Sequence, residues 1–438
     1  MKLFASSADS ALPSSDDTKH WTLLVLVLLL LLAQAGSPLW EMHMSVDVTV
    51  FHARAYHFMT NGTWAGMEYN EYMPGALWFF VFVGWLTNNI QSYDAFATSL
   101  FLTNCGLIVG HFLFFRKHGP SYAVPAFLLL TAAIGPILLF RFELLTSLLT
   151  LLSWQRFREG KLPNAAAYLG VAVCVKLYPV ILLPLLLAST LREKKWTETF
   201  TTLLWFCNAL ALPAIAVMLM GGTLADIVRS ISVHGLKPIG LEGFWGNLVT
   251  IIQGALGIPV IPHGDYGIAG MLSSLPVLHD PFLNYSWVVP VGVVTLWAIL
   301  RDGGRRLTDP LAAYLIVFLF VYLAKTVNPQ YLWWFAVFLP LVSFDRVSES
   351  VRTQITYATA FCLMITQIYY PLYYTEFLQW FEGTYASPFL FELVVFRNVL
   401  LLVILGIGLY CFTPNTGKSQ KIKTGKLTLP RTHKKTAG

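Results

Sequence analysis

The chain has 438 residues, of which 56% are apolar and only 12% are charged, and its mean hydropathy is +0.62. A soluble fold of this length exposes more charge than this sequence contains, so the composition excludes a soluble protein and predicts a polytopic membrane protein. The formal charge of +6 does not indicate a nucleic-acid partner, because basic residues in membrane proteins mark the cytoplasmic side.

The chain begins with residues 1–20, which are rich in Ser and Asp and are predicted to form a disordered cytoplasmic terminus. Residues 21–36 (WTLLVLVLLLLLAQAG) predict the first membrane span. A signal peptide has a similar apolar run, but no convincing small-residue cleavage site follows this one. We therefore expect a retained helix.

The segment 37–94 is a long polar and aromatic interruption in the apolar sequence, and we predict that it lies on the outer side of the membrane. An ordered connection of this length costs conformational entropy that local packing must offset, so it is seldom kept without a function. It contains the ionisable residues Asp47, Arg54, Glu68 and Glu71. We therefore expect it to carry an active site at the membrane surface.

Further apolar segments predict an all-α bundle of about 12 transmembrane helices within residues 21–413. Several are shorter than the roughly 20 residues that a perpendicular helix needs, which predicts helices broken at Pro or Gly. Half-length helices that meet at a polar residue usually border a cavity. The segments are about 95–115, 121–140, 142–156, 163–177, 179–191, 198–219, 284–300, 310–324, 330–344, 353–371 and 393–413.

The positions of Lys and Arg predict the orientation. With a cytoplasmic N-terminus and one crossing per segment, 22 basic residues lie inside and seven outside, as the positive-inside rule requires. Both termini are then cytoplasmic, and the basic tail 414–438 is expected to lie on the anionic inner leaflet. A crossing by the apolar residues 75–90 would invert every later loop, so we predict an interfacial or re-entrant helix on the outer surface there.

Basic residues on the outer side oppose the insertion preference and therefore indicate anionic partners. A lysine at the centre of a membrane helix costs about 2.5–3.5 kcal/mol to insert, so we favour a phosphate or carboxylate contact for Lys176 over a lysine that snorkels to the surface. Arg141 and Glu143 form a second such site, or simply neutralise each other. The helix breaks concerned hold Lys176 (KLYP), Arg141 and Glu143 (RFELL), and Lys325, Asn328, Gln330 and Tyr331 (KTVNPQY).

A second outer segment, residues 220–283, contains His234, Lys237 and Glu242 and a predicted short helix from Trp245 to Leu256. His234 and Glu242 suit a proton-transfer pair or a metal pair, while a lone loop histidine is more often only solvated. No HExxH, DxD or paired-His spacing occurs, so no metal site is predicted. The five cysteines stand singly in apolar runs and are expected to be small buried hydrophobes.

Aromatic residues crowd the outer ends of the spans. Most of them are expected to anchor the protein at the membrane interface, and a few are expected to stack on rings of a bound substrate. They are Tyr69, Tyr72, Trp78, Trp333, Trp334, Tyr369, Tyr370, Tyr373, Tyr374 and Trp380.

Five short motifs occur in a fixed order after an aspartate in the first outer segment: EYMP, RFELL, KLYP, a stretch ending in GLE, and NPQY. This order resembles the polyprenol-phosphate-dependent glycosyltransferases of the GT-C superfamily over roughly residues 40–345. The most similar class is family eighty-seven, with its bacterial alpha-mannosyltransferases that act on lipid acceptors. Met73, Glu143 and Asn328 stand where Pro, Asp and Ser are commoner in that family. These differences affect which subfamily and which sugar the resemblance implies.

The resemblance implies transfer of a hexose, with mannose as the first candidate, from a polyprenyl-phosphate donor to a lipid or glycan acceptor. It also implies that the reaction takes place at the outer face of a bacterial cytoplasmic membrane. It implies Asp47 as the general base, donor-phosphate contacts from Lys176, Arg141 and Lys325, and no metal or other cofactor. The further substrate-binding residues expected are Arg54, Glu71, Tyr72, Glu143, Tyr178, His234, Lys237, Glu242, Asn328, Gln330 and Tyr331.

The residues alone are consistent with that chemistry. Displacement at an anomeric carbon with a phosphate leaving group needs one base and positive charge at the departing phosphate, and one base predicts inversion. Asp47 can instead be an ordinary loop carboxylate or an ion-pair partner of Arg54. The alternative functions are a flippase or transporter of lipid-linked sugars, for which an internal inverted repeat is expected and none is found, and a noncatalytic scaffold.

Overall fold

α-Helices make up most of the chain, as the computed structural model shows for residues 15–67, 72–237, 239–257, 261–263, 267–269, 283, 285–300, 307–344, 346–384 and 387–413. In chain order the helices are α1 (Ser15–Ala35), α2 (Pro38–Asn61), α3 (Pro74–Leu86), α4 (Tyr93–His118), α5 (Ala123–Ile134), α6 (Glu143–Arg158), α7 (Leu162–Val175), α8 (Leu183–Arg192), α9 (Trp196–Leu219), α10 (Leu224–Leu236), α11 (Phe244–Ala255), α12 (Val288–Leu300), α13 (Pro310–Leu323), α14 (Leu332–Ala336), α15 (Glu349–Gln367), α16 (Tyr374–Phe381) and α17 (Phe389–Phe412).

Short non-α elements lie between these helices. Among the described residues, four are 3-10 turns and one, Ile368–Leu372, is a π-type turn; the 3-10 turns are Gly135–Leu138, Tyr178–Leu182, Pro329–Tyr331 and Leu339–Leu341. The second outer segment also contains a small antiparallel sheet, which the all-α prediction did not include. Its strands are β1 (Ile239–Gly240), β2 (Ile261–His263) and β3 (Gly267–Ala269), in the order β1-β3-β2.

By length and composition, four helices of the described chain can cross a membrane: Asp17–Ala35, Tyr93–His118, Trp196–Leu219 and Phe389–Phe412. Their outward faces carry exposed apolar side chains such as Leu212, as helices facing lipid require. This agrees with the predicted class of helical membrane protein. Five of the remaining predicted spans correspond to shorter apolar helices, namely 121–140, 163–177, 179–191, 284–300 and 310–324. The predicted spans 142–156 and 353–371 correspond to α6 and α15, which are helical but less apolar. The predicted span 330–344 is a buried series of short helical turns.

The first helix begins earlier than predicted. α1 starts at Ser15, so the prediction of disorder is wrong for residues 15–20, and residues 1–14 lie outside the described chain. Asp17 in the first turn pairs with Arg116 at the end of α4, with 3.0 Å between Oδ1 and Nη2. An acidic residue near a helix N-terminus also interacts favourably with the helix dipole, and both effects stabilise the added turn.

The first outer segment, which was predicted to be a large loop carrying juxtamembrane helices, is mostly helical. α2 begins with Pro38 at its first turn and ends at Gly62, whose φ of 68° is the left-handed conformation that glycine adopts readily. Val48, Phe51 and Ala55 are buried on one face of α2, at the i, i+3, i+7 spacing of an amphipathic helix. Helical hydrogen bonding and this buried face offset the entropy of ordering the segment.

The helix predicted over 75–90 exists as α3, but it packs within the bundle. Ala76, Leu77, Phe80 and Val83 are fully buried, and α3 contacts α2, α4, α7 and α9. Trp78 donates a hydrogen bond to the carbonyl of Pro213 in α9, at 3.1 Å. α3 is therefore a packed element of the fold and not a helix resting on its surface.

Gly75 allows α3 to approach the end of α7, directly before Lys176. A Cβ at this position would lie 2.7 Å from the carbonyl carbon of Cys174 and 2.8 Å from the amide nitrogen of Val175. Because both are backbone atoms, Gly75→Ala is expected to push the helices apart and lower the stability by about 1–3 kcal/mol. Thermal unfolding in detergent measures the loss.

The matched control is Gly106→Ala in α4, where an added Cβ meets no atom within 4 Å. This variant is expected to unfold at the wild-type temperature or slightly above it, because alanine favours helix more than glycine does. Equal melting temperatures for the two variants would contradict the importance of the close approach at Gly75.

Two groups of helix ends differ in their predicted side of the membrane. The first group carries Asp17, Arg116 and Arg346, which were predicted to be cytoplasmic. Asp17 pairs with Arg116, and Arg346 donates to the carbonyl of Tyr410 at 3.0 Å and to the hydroxyl of Thr413 at 2.8 Å. The start of α6 and the ends of α7, α13 and α15 form the other group, which surrounds a cavity.

Candidate active site

The breaks between helices border one cavity of about 540 Å³. This location agrees with the prediction that half-length helices meeting at polar residues surround a cavity. Its walls come from α2, from the segments before α3 and α6, and from those after α7, α10, α13 and α15. The lining residues that carry polar or ionisable groups are Asp47, Tyr72, Arg141, Glu143, Lys176, Lys237, Glu242, Thr326, Asn328, Gln330, Tyr331, Tyr370 and Tyr374.

Asp47 and Arg141 form an ion pair on the cavity wall. The Asp47 side chain is about one-third exposed (32%), whereas that of Arg141 is buried (7%). Asn104 of α4 donates to the backbone carbonyl of Arg141 at 2.7 Å, and Arg141 Nη2 donates to Tyr370 Oη at 2.7 Å. The ion pair that the structure shows for Asp47 is therefore with Arg141, and not with Arg54 as the sequence allowed.

Glu143 pairs with Lys176 rather than with its neighbour Arg141. Glu143 is fully buried in the first turn of α6, where the helix dipole favours a carboxylate. The Lys176 ammonium lies 4.6 Å from the ring centre of Phe142, 5.0 Å from that of Tyr331 and 5.1 Å from that of Trp334. Aromatic faces attract cations at this range, so Lys176 is held by protein groups and does not snorkel.

Glu242 lies on the same wall within a buried polar network. Its carboxylate accepts a hydrogen bond from Tyr369 Oη at 2.9 Å, and its backbone carbonyl accepts from Arg397 Nη2 at 2.5 Å and from Asn398 Nδ2 at 3.1 Å. Burial raises the pKa of Glu242 to about 7, although Arg397, the hydrogen bond from Tyr369, Arg141 and a hydrogen bond from Tyr374 all act in the opposite direction. The network joins α17 and the π-type turn to the segment between β1 and α11.

Several aromatic residues predicted as interface anchors are inside the protein instead. Trp333 and Tyr369 are fully buried, and Trp334, Tyr370 and Tyr374 nearly so. They are retained there because Tyr370 accepts from Arg141, Tyr369 donates to Glu242, and Trp334 stacks on its neighbours. The anchor prediction is wrong for these five, since tyrosine hydroxyls serve buried polar partners as readily as headgroups.

The structure places some other predicted residues beside the cavity rather than on it. Lys325 is buried one residue before the lining residue Thr326, and Tyr178 is buried and stacked on Trp334 with ring centres 4.1 Å apart. Arg54 lies two helical turns along α2 from Asp47. Glu68, Glu71 and the side chain of His234 lie outside the described part of the chain.

The sequence analysis missed Arg397, Asn398, Asn247 and Tyr370 as site residues. Arg397 had a signal: an arginine inside the last apolar segment, FELVVFRNVLLL, is costly in a membrane and indicates a buried function. In the charge count, Arg397 is only one of the seven outer basic residues. Among the cysteines, Cys207 is exposed on α9, contrary to the prediction of burial, while Cys174, Cys362 and Cys411 are buried.

Over the residues with described side chains, no group of three or more His, Cys, Asp or Glu is arranged to hold a metal ion. The sequence matches no model of a known protein family and none of the curated proteins with which it was compared. Function is therefore argued from the cavity itself.

Proposed function

We propose that the protein is a GT-C-type membrane glycosyltransferase. It moves a hexose, with mannose as the first candidate, from a polyprenyl-phosphate donor to a hydroxyl of a lipid or glycan acceptor. One observation carries the proposal: Asp47 of α2, Arg141 and Glu143 at the start of α6, and Lys176 at the end of α7 meet on one cavity wall. The resemblance in the sequence assigns Asp47 to the base, and Arg141 and Lys176, together with Lys325, to the phosphate site.

The chemistry assigns one role to the carboxylate and another to the cations. Asp47 takes the proton of the acceptor hydroxyl, the hydroxyl oxygen forms a bond to the anomeric carbon, and the bond from that carbon to the phosphate oxygen breaks. The electron pair goes to the phosphate, whose negative charge rises from one to two. Arg141 and Lys176 stabilise that charge. General-base catalysis and electrostatic stabilisation of the transition state supply much of an enzyme's rate enhancement.

The two ion pairs link donor binding to activation of the base. A donor phosphate competes with Asp47 for Arg141 and with Glu143 for Lys176. As Arg141 turns to the phosphate, Asp47 loses the positive charge that stabilises its ionised form and becomes a stronger base. The acceptor is therefore deprotonated after the donor is bound. Asp47 does not exchange a proton with the acceptor hydroxyl while the donor is absent.

We place the cavity at the outer face of a bacterial cytoplasmic membrane, with about 12 spans and with α2 and α3 as juxtamembrane helices. Two features support this orientation: the excess of Lys and Arg at the other group of helix ends, and the position of the cavity where helices end. A polyprenyl chain lies in the bilayer and brings its phosphate to headgroup depth, level with helix ends. The acceptor approaches from the aqueous side or from the outer leaflet.

The test uses the purified chain in lipid nanodiscs with radiolabelled polyprenyl-phosphate mannose and a membrane lipid extract. The expected products are a mannosylated lipid or glycan with inverted anomeric configuration, and polyprenyl phosphate. If mannose is not transferred, a panel of polyprenyl-linked sugars is tested next. Proteoliposomes that move the labelled donor across the bilayer with its phosphate linkage intact, and transfer none of the sugars, would establish the flippase instead.

A further inference from the structure

Glu242 is held in place from two sides. Its backbone carbonyl accepts hydrogen bonds from Arg397 and Asn398 on α17. Asn398 also donates to Asn247 Oδ1 at 2.5 Å, and Asn247 donates to the carbonyl of Leu241 at 3.0 Å. Residue 242 therefore cannot shift without breaking bonds to both α11 and α17, and its side chain is presented to the cavity in one position.

The guanidinium of Arg397 is occupied by uncharged oxygens. Arginine has five N–H donors, and the five hydrogen bonds of Arg397 go to the Asn398 side-chain oxygen twice, to Thr366 Oγ1, to Tyr369 Oη and to the Glu242 backbone carbonyl. The carboxyl of Glu242 is reached through Tyr369, whose hydroxyl accepts from Arg397 and donates to Glu242. Glu242 thus differs from Asp47 and Glu143, each of which has a direct cationic partner.

A buried carboxyl without a direct ion pair favours its protonated form. This agrees with the raised pKa of Glu242, about 7, for which burial is the largest cause. An ionised Glu242 would also repel a phosphate entering the cavity, whereas the neutral acid offers an O–H donor. The neutral carboxyl is therefore the form that suits an anionic, hydroxyl-rich ligand.

We propose that Glu242 is a substrate-contacting residue that acts in its protonated form and donates a hydrogen bond to the sugar of the donor. The proposal rests on the proposed function of the cavity and adds to it the protonation state that donor recognition requires. The network of Tyr369, Arg397 and Asn398 positions the carboxyl for this contact. Donor affinity is then high below pH 7 and falls as Glu242 ionises above it.

Other charged or titratable groups surround this position, so the pH dependence must be traced to Glu242 by substitution. Among the described residues, those that face it or share its cavity are Arg397 on α17, Tyr369, Tyr370 and Tyr374 near α16, Arg141 and Glu143 at α6, Asp47 on α2, Tyr72 before α3, Lys176 after α7, Lys237 after α10 and Tyr331 after α13. Glu242→Gln keeps a neutral hydrogen-bond donor of similar shape and removes only the titration. Glu242→Ala removes the contact as well.

The experiment measures equilibrium binding of radiolabelled polyprenyl-phosphate mannose to the chain in nanodiscs between pH 5.5 and 8.5. The wild-type dissociation constant is expected to rise by up to about tenfold per pH unit above 7, as loss of one required proton dictates. Glu242→Gln is expected to bind tightly with a flat profile, and Glu242→Ala weakly at every pH. The control is Glu376→Gln on α16, outside the cavity lining, which should keep the wild-type profile.

Thermal unfolding of each variant identifies any that fails to fold, and Glu242→Gln tests the proposal if Glu242→Ala does not fold. Binding by Glu242→Gln that is as weak at pH 6 as that of Glu242→Ala would overturn the inference, because the ionised carboxylate would then be the required form. Wild-type affinity in both variants would also overturn it. A wild-type chain that binds no donor at any pH overturns the proposed function and this inference with it.

Discussion

Asp47→Asn is expected to lower the rate of sugar transfer by about 10²- to 10⁴-fold, the usual contribution of a general base. Asparagine keeps the size of the side chain but cannot accept the proton of the acceptor hydroxyl. Donor binding is expected to be kept or strengthened, because Arg141 loses its ionic partner and interacts more fully with the phosphate. Initial rates of transfer and equilibrium binding of the labelled donor measure the two effects separately.

The control is Asp94→Asn, which changes an exposed acid in the first turn of α4, outside the cavity. It should transfer sugar at the wild-type rate. Undiminished transfer by Asp47→Asn would remove Asp47 from the mechanism. If this variant folds but loses donor binding together with transfer, Asp47 holds the donor and the base must be sought elsewhere on the wall.

Lys176→Met is expected to destabilise the protein by about 3–5 kcal/mol, because it leaves the fully buried Glu143 without its cation. Adding Glu143→Gln is expected to recover most of that loss, since the double variant has no unpaired buried charge and methionine packs well against aromatic rings. Neither variant should transfer sugar at an appreciable rate, because the phosphate lacks one of its two cations. Unfolding in detergent and transfer assays give the two readouts.

The matched control is Lys161→Met, which removes an exposed lysine that pairs with Glu159 between α6 and α7. Solvent screens such a pair, so a small change in stability is expected. A Lys176→Met variant as stable as this control would contradict a stabilising pair with Glu143. Wild-type transfer by the double variant would show that Lys176 takes no part in binding the phosphate.

The helices could be predicted well because long apolar runs are local signals. The predicted helices over 95–115 and 198–219 lie within α4 and α9, the one over 393–413 ends one residue beyond α17, and α11 spans Phe244–Ala255 where Trp245–Leu256 was expected. The first outer segment was predicted less well. α2 contains His, Arg and Asp among its apolar residues, so the repeat of Val48, Phe51 and Ala55 along one face was obscured, and only packing against α3 reveals it.

The candidate site could be predicted as a set of residues but not as a set of contacts. Asp47, Arg141, Glu143 and Lys176 were expected from the sequence, and all four line the cavity. Their pairing was not predicted, because Glu143 follows Arg141 by two residues whereas its partner Lys176 is 33 positions away. Arg397 was missed because its bonds go to Glu242, Tyr369 and Thr366, residues that are remote in the chain.

The amino-acid sequence by itself determined that this is a helical membrane protein whose helices break at polar residues, because hydrophobicity and proline act locally and need no partner. Tertiary structure alone decided which carboxylate meets which cation, and which of three acids has no direct ion pair with any described residue. The reason is physical: the charge state of a buried acid depends on its burial and on the atoms within a few ångströms of it. Those atoms come from α2, the start of α6, the end of α7, the π-type turn and α17, and only folding brings them together.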